Sequence, residues 1–106
     1  MEAVARAIAA PRRRQILALV RDEELSAGAI ASHFDVSRPA VSQHLNVLKE
    51  AGLVSERRNG TQRLYRARPE GLRELRAFLA EFWDGRLEAL KREAEREERK
   101  RRGRND

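Results

Sequence analysis

The sequence contains no cysteine, which excludes disulfide bonds, thiolate metal sites and thiol redox sensing. It has no apolar run near the ~20 residues that a membrane-spanning helix needs. No apolar signal-peptide core follows residues 1–6, and an acidic residue stands at position 2. Aromatic residues make up only 5% of the 106 residues, so few large side chains are available for a core. We therefore expect one modest domain in the cytoplasm, with no membrane contact.

Positive charge exceeds negative charge, with 23 Lys and Arg residues against 17 Asp and Glu residues, a net charge of +6. Such a surplus favours a polyanionic partner, and nucleic acid fits better than a membrane surface. The sequence shows no Ser/His/Asp arrangement, P-loop or dinucleotide fingerprint. We therefore expect a binding protein and not an enzyme.

Two helices are predicted at the start of the chain, a short one that stops near Pro11 and a second over residues 12–22. Three arginines, at positions 12–14, crowd the first turn of the second helix. Cations at a helix N-terminus oppose the macrodipole. Pairing with acidic residues and contact with a phosphate both remain open as explanations.

Residues 26–54 carry the pattern of two short helices joined by a tight turn, a helix-turn-helix. Ser26 and Ser37 are suited to cap these helices, because a serine hydroxyl accepts from a free backbone N–H of the first turn. The second helix has an apolar stripe at helical spacing, formed by Val41, Leu45 and Leu48. Its other side is polar, as expected of a helix that reads a DNA duplex.

Beyond Gly52, which suits a helix stop, the hydrophobic period changes. Residues 53–58 and 61–67 are predicted as two strands. Asn59 and Gly60 between them predict a tight turn in which both residues have positive φ. This hairpin would form a two-stranded wing.

A long helix is predicted from about Pro69, apolar on one side as far as Leu90 and purely charged beyond it. Pairs such as Glu98 and Arg102 have the favourable i,i+4 orientation. We treat residues 1–98 as a single domain and residues 99–106 as a basic, frayed tail. The expected fold class is mainly α: a winged helix-turn-helix with a two-stranded β-wing and a long C-terminal dimerisation helix.

These segments resemble the ArsR family of bacterial transcriptional repressors. The resemblance rests on residues 10–17, on the second helix and wing start at 37–54, and on the wing residues 57–60 and 64–65, and it covers residues 7–82. It implies a homodimer whose first and last helices pack across a two-fold axis. An apolar stripe too long for one small domain to cover also favours a partner surface. The expected dimer residues are Val4, Ile8, Leu75, Leu79, Phe82, Trp83, Leu87 and Leu90.

The sequence departs from the metal-sensing members of this family. Their sites use cysteines, or a His/Asp/Glu set on the last helix, whereas this last helix has no histidine. Glu81, Asp84 and Glu88 share one helical face, but solvated surface acids explain them better than a cation site. We expect no metal and no cofactor, and a small-molecule effector of non-metal chemistry.

Double-stranded DNA is the expected partner, bound as an inverted-repeat operator by a repressor. Gln43 suits a bidentate contact with adenine, and Arg38 suits guanine or a phosphate. Arginines near a hairpin tip commonly enter a minor groove or hold phosphates. The predicted DNA contacts are Ser37, Arg38, Pro39, Ala40, Ser42, Gln43, His44, Asn46, Lys49, Arg57, Arg58, Asn59, Gly60 and Arg63.

The alternative function is an RNA-binding or architectural winged-helix module without operator specificity. Sequence-specific RNA recognition usually relies on aromatic side chains that stack on bases. Tyr65 is the one aromatic residue expected on the binding surface, which favours the duplex reader.

Overall fold

The computed structural model describes the backbone of residues 1–105 and the side chains of residues 1–103. The chain divides into two compact units, Met1–Leu75 and a second that begins at Arg76. The elements are α1 (Glu2–Ala9), α2 (Pro11–Asp22), β1 (Leu25–Ser26), α3 (Ala27–His33), α4 (Arg38–Glu50), β2 (Val54–Asn59), β3 (Gln62–Ala67), a 3-10 turn (Pro69–Leu72) and α5 (Arg73–Asn105). The predicted winged helix-turn-helix order is confirmed.

The arginines at the start of α2 bind the end of α1. Arg13 Nε donates to the Ala7 carbonyl at 2.6 Å, and Arg14 Nη1 donates to the Ile8 carbonyl at 2.7 Å. The last carbonyls of a helix lack partners within the helix and carry partial negative charge, so they attract cations. By capping the preceding helix, the guanidinium groups offset the unfavourable effect of positive charge at the α2 N-terminus. The sequence had left open acidic partners or a phosphate, and the structure shows backbone carbonyls instead.

Both predicted serine caps of the helix-turn-helix are present. Ser26 Oγ accepts from the Ala29 N–H at 3.1 Å, and Ser37 Oγ accepts from the Ala40 N–H at 3.3 Å. Helix α4 ends in a Schellman arrangement, in which the N–H of Leu53 donates to the carbonyl of Leu48 at 2.9 Å. These bonds fix where α4 begins and where the chain leaves it for the wing.

The wing belongs to a three-stranded antiparallel sheet of order β1-β3-β2. The short strand β1, which pairs Leu25 with Tyr65, was not predicted. In the hairpin, Asn59 pairs with Gln62, so the two central turn residues are Gly60 and Thr61.

The predicted position of the turn is therefore wrong by one residue, because its central residues are Gly60 and Thr61 and not Asn59 and Gly60. Gly60 has a φ of 67°, and no non-glycine residue among those described has positive φ. Positive φ at the first central residue alone is the pattern of a type II′ turn, which places glycine first. The strand register shifts accordingly, because Asn59 belongs to β2.

The core lies where the helices meet the base of the hairpin. Its largest fully buried side chains come from α2, α3, α4, β2 and the residue that precedes β2: Ile16, Val20, Ile30, Val41, Leu45, Leu48, Leu53 and Val54. Tyr65 is the one buried aromatic residue among those described, so the expectation that it lies on the binding surface is wrong. The predicted inward stripe of α4 is thus confirmed as part of this core.

Helix α5 is described as helical through Asn105, and Arg102 Nη2 lies 2.8 Å from Glu98 Oε1, one of the predicted i,i+4 pairs. Fraying from Arg99 onward stays a prediction. The predicted tail runs to residue 106, and Asp106 lies outside the described residues. None of the described helices is long and apolar enough to cross a membrane.

Candidate nucleic-acid interface

Helix α4 presents one face to solvent because its opposite face is anchored in the core. Val41, Leu45 and Leu48 are fully buried, while Gln43 and Asn46 between them are exposed. A helix of this kind places its N-terminal polar residues where a duplex can meet them. The predicted division of α4 into a buried stripe and a polar face is present in the structure.

Most of the predicted DNA-contacting residues are exposed: Ser37, Arg38, Pro39, Gln43, Asn46, Lys49, Arg57, Arg58, Asn59, Gly60 and Arg63. Three are only partly exposed: Ala40, Ser42 and His44. The set comes from α4 with its N-cap and from the hairpin, which belong to the same compact unit.

His44 faces α2 and not the open side of α4. Its Nδ1 lies 3.4 Å from Arg13 Nη1, and burial, reinforced by Arg13 and Arg12, lowers the pKa of His44 below 6.5. The cause is helical spacing, since position 44 lies three residues after Val41 and next to Leu45, at the edge of the buried stripe. A base contact by His44 stays a prediction, and the ring is neutral at pH 7.

Two glutamates hold cations of the wing in place. Arg57 makes two contacts to Glu24, Nη2 to Oε1 at 2.6 Å and Nε to Oε2 at 3.1 Å. Glu56 Oε2 accepts a hydrogen bond from Lys49 Nζ at 2.9 Å, and Glu56 Oε1 lies 3.4 Å from Arg63 Nε. Hydrogen bonds from Arg57 and Lys49 lower the pKa values of Glu24 and Glu56 respectively, so both carboxylates are ionised at neutral pH.

These ion pairs distinguish among the predicted wing arginines. Arg57 is oriented toward Glu24, which precedes β1, whereas Arg58 has no carboxylate within 4 Å among the described side chains. Sequence reasoning missed Glu24 and Glu56 as partners. Only the alternation of β2 could have indicated that Glu56 and Arg58 share a face, and nothing local indicates Glu24, which is 33 residues from Arg57.

Arg12 has a further role that the sequence did not indicate. Its guanidinium carbon lies 4.9 Å from the centre of the Phe34 ring, a cation–π contact between α2 and the residue that ends α3. This contact ties the first helix of the helix-turn-helix to α2.

Helix α5 carries large apolar side chains that remain exposed in the single chain: Phe78, Leu79, Phe82, Trp83, Leu87 and Leu90. The rings of Phe82 and Trp83 form an edge-to-face pair at 6.2 Å. The other predicted dimer residues lie in the first unit, where Val4 is buried and Ile8 and Leu75 pack against the core. The six exposed side chains of α5, which are 42–60% exposed, are thus the ones open to a partner.

Across the residues that the structure describes, no three His, Cys, Asp or Glu side chains come together as a metal site. The site consists instead of a capped helix with an exposed polar face beside a basic hairpin. That combination defines the winged helix-turn-helix class of DNA-binding protein.

Comparisons with known proteins agree with this class. Residues 10–56 match the model of the bacterial regulatory protein, arsR family. The HTH-type transcriptional regulator Rv2034 of Mycobacterium tuberculosis is 48% identical over 77 residues, which cover 73% of this chain and 72% of the relative. The transcriptional repressor SdpR of Bacillus subtilis is 47% identical over 60 residues, 57% of this chain and 67% of the relative.

A solved structure is also similar, the homodimeric winged helix-turn-helix DNA-binding domain of Mb0332 from Mycobacterium bovis. It has a TM-score of 0.64 and 36% sequence identity, covering 78% of this chain and 77% of that one. The chain belongs to the ArsR family of bacterial transcriptional regulators. The relatives are named as regulators of transcription and not as enzymes.

Proposed function

We propose that the protein is a homodimeric repressor that binds an inverted-repeat operator through α4 in the major groove. Support comes chiefly from the exposed face of α4, where Gln43 and Asn46 stand opposite a fully buried stripe. An amide side chain there can form two hydrogen bonds with adenine. The hairpin beside it supplies Arg58 and Arg63 for the sugar–phosphate backbone.

The dimer is supported by α5. Phe82 is 60% exposed and Leu87 is 56% exposed, and they belong to a set of six large apolar side chains along this helix. Contiguous apolar surface of this kind marks a partner interface. The similar Mycobacterium bovis domain is homodimeric, so a second copy of the chain is the proposed occupant.

A two-fold dimer determines the form of the operator. Each α4 would enter one major groove, so the half-sites would be related by symmetry, with centres about 34–36 Å apart or a multiple of that distance. Repression would follow from a bound dimer that blocks polymerase at a promoter, and the similarity to the repressor SdpR supports this sign of regulation. The proposal includes a non-metal small-molecule effector.

The test is selection of bound duplexes from a random pool at near-physiological salt. We expect an inverted repeat, and we expect Gln43→Ala to lose preference at particular base pairs in that repeat. Recovery of no consensus, with binding that disappears as salt rises, would support an architectural or RNA-binding module instead.

The sign of regulation needs a second measurement. The selected repeat is placed across a promoter in a purified transcription reaction, with a scrambled repeat as the control. Repression predicts fewer transcripts from the first template only. An unchanged or increased yield would contradict the repressor part of the proposal while leaving operator binding intact.

A further inference from the structure

A polar cleft lies between the N-terminal part of α4 and the wing. Arg38 and Ser42 line it on the helix side, Gln62 and Arg63 line it on the hairpin side, and Gly28 of α3 lies at its floor. Its volume is about 510 Å³, within the range of sites that hold small ligands.

Arg38 lies in this cleft and not beside Gln43. A Cβ atom added to Gly28 would be 4.0 Å from both Cζ and Nε of Arg38, so the guanidinium group lies over the backbone of α3. Within the described part of the chain, Arg38 takes part in no ion pair. Arg38 thus lines the cleft with a guanidinium group that is available to an anion.

The hairpin adds the guanidinium group of Arg63 to the lining of the cleft, and Arg58 lies beside it on the neighbouring strand. Arg58 and Arg63 are directly opposite each other in the β2–β3 register, so they project from the same face of the hairpin. Like charges directly opposite each other are destabilising. Glu56 lies two residues before Arg58 on the same face. Among the described side chains it is the one carboxylate that pairs with Arg63, and it also pairs with Lys49. This side of the cleft thus has surplus positive charge that an anion would neutralise.

We propose that the cleft holds one backbone phosphate of the bound duplex between Arg38 and Arg63. Arg38 then contacts the sugar–phosphate backbone and not a base, and the reading of bases in the first turns of α4 falls to Gln43. This inference rests on the proposed function and decides between the two roles open for Arg38. It also explains how α4 and the wing engage one strand together, since each contributes a guanidinium to the same phosphate.

The test combines two variants with chemically neutralised DNA. Arg38→Gln and Arg63→Gln are each expected to weaken binding about tenfold on every duplex and to reduce the salt slope by about 0.9 per half-site. The selected duplex is then made with an uncharged methylphosphonate at one position at a time, symmetrically in both half-sites. At one position the methylphosphonate should weaken binding of the wild type by the same factor, about tenfold. On that duplex both variants should bind with the affinity of the wild type.

Arg66→Gln is the matched control, because Arg66 is exposed on the other face of the same strand and pairs in register with Ser55. Any loss of affinity caused by Arg66→Gln should be the same on the methylphosphonate duplex as on the unmodified one. All three side chains are exposed, so circular dichroism should show folded variants.

Two results would overturn the inference while the proposed function stands. One is a change of preferred base in Arg38→Gln, and the other is the lack of any single phosphate position at which both variants lose their effect. If the wild type selects no consensus, the operator proposal fails instead. Uniform weakening and a smaller salt slope in both variants would still support the phosphate site in that case.

Discussion

The 3-10 turn before α5 passes so close to the end of α4 that it allows no side chain at Gly71. A Cβ atom there would overlap the carbonyl oxygen of Gly52 and lie 2.9 Å from its carbonyl carbon and 3.2 Å from Leu53 Cδ2. The obstacle is backbone, and it is held firmly. The N–H of Leu53 donates to Leu48 at 2.9 Å, and its carbonyl accepts from the N–H of Arg68 at 2.7 Å.

Gly71→Ala should therefore destabilise the protein. Forcing a methyl group into packed structure costs about 1–3 kcal/mol, and alanine returns about 0.4–1 kcal/mol by restricting the unfolded chain. The net loss should be about 1–2 kcal/mol in the free energy of unfolding. For a unit of this size, each kcal/mol lowers the melting temperature by roughly 4–8 °C.

The assay is urea denaturation followed by circular dichroism, at one fixed protein concentration because association shifts apparent stability. Gly85→Ala is the control, since a Cβ atom at this helical position meets nothing within 4 Å. It should stabilise α5 by up to about 1 kcal/mol. If Gly71→Ala were as stable as the wild type, the close approach to Gly52 would be refuted.

Four further changes test the interface, the dimer and the partly buried His44. Gln43→Ala should cost about 1–3 kcal/mol on the selected operator and relax base preference there, as measured by competition with single-base variants. Arg58→Ala should weaken all duplexes alike and flatten the salt dependence of binding. Leu87→Asp should shift sedimentation from dimer to monomer, because it places a charge in the exposed stripe of α5. The last test concerns the titration of His44. Burial lowers its pKa in the folded protein, so as pH falls below 6.5 the unfolded chain takes up a proton first and the free energy of unfolding should decrease. His44→Gln should make that decrease smaller.

Matched variants separate these effects from general damage. Glu88→Ala changes the residue beside Leu87 without adding charge to the stripe, so dimers should persist. His33→Gln replaces an exposed histidine, so the pH dependence assigned to His44 should remain. Equal, base-independent losses in Gln43→Ala and Arg58→Ala would contradict the division into a base reader and a phosphate contact.

Features that depend on neighbours in sequence could be predicted. Ser26 and Ser37 were identified as caps because an N-cap bond spans only three residues. The buried stripe of α4 follows from helical period alone. The same period, applied to position 44, would have placed His44 beside that stripe.

Features that depend on tertiary packing could not be predicted. The Glu24–Arg57 pair joins residues 33 apart, and strand β1 exists only because residues 25–26 meet β3. The turn illustrates a different difficulty. Asn59-Gly60 fits two registers that differ by one residue, and the pairing of Asn59 with Gln62 selects the one in which glycine comes first.

The most direct test of the account is to map the bound duplex on the protein by amide chemical shifts. The selected operator is added to isotope-labelled protein, and each backbone N–H is followed. We expect the largest changes in the first turns of α4, around Gln43, and at the wing near Arg58 and Arg63. Changes centred on the basic end of α5, with α4 unaffected, would contradict the claim that this helix reads the DNA.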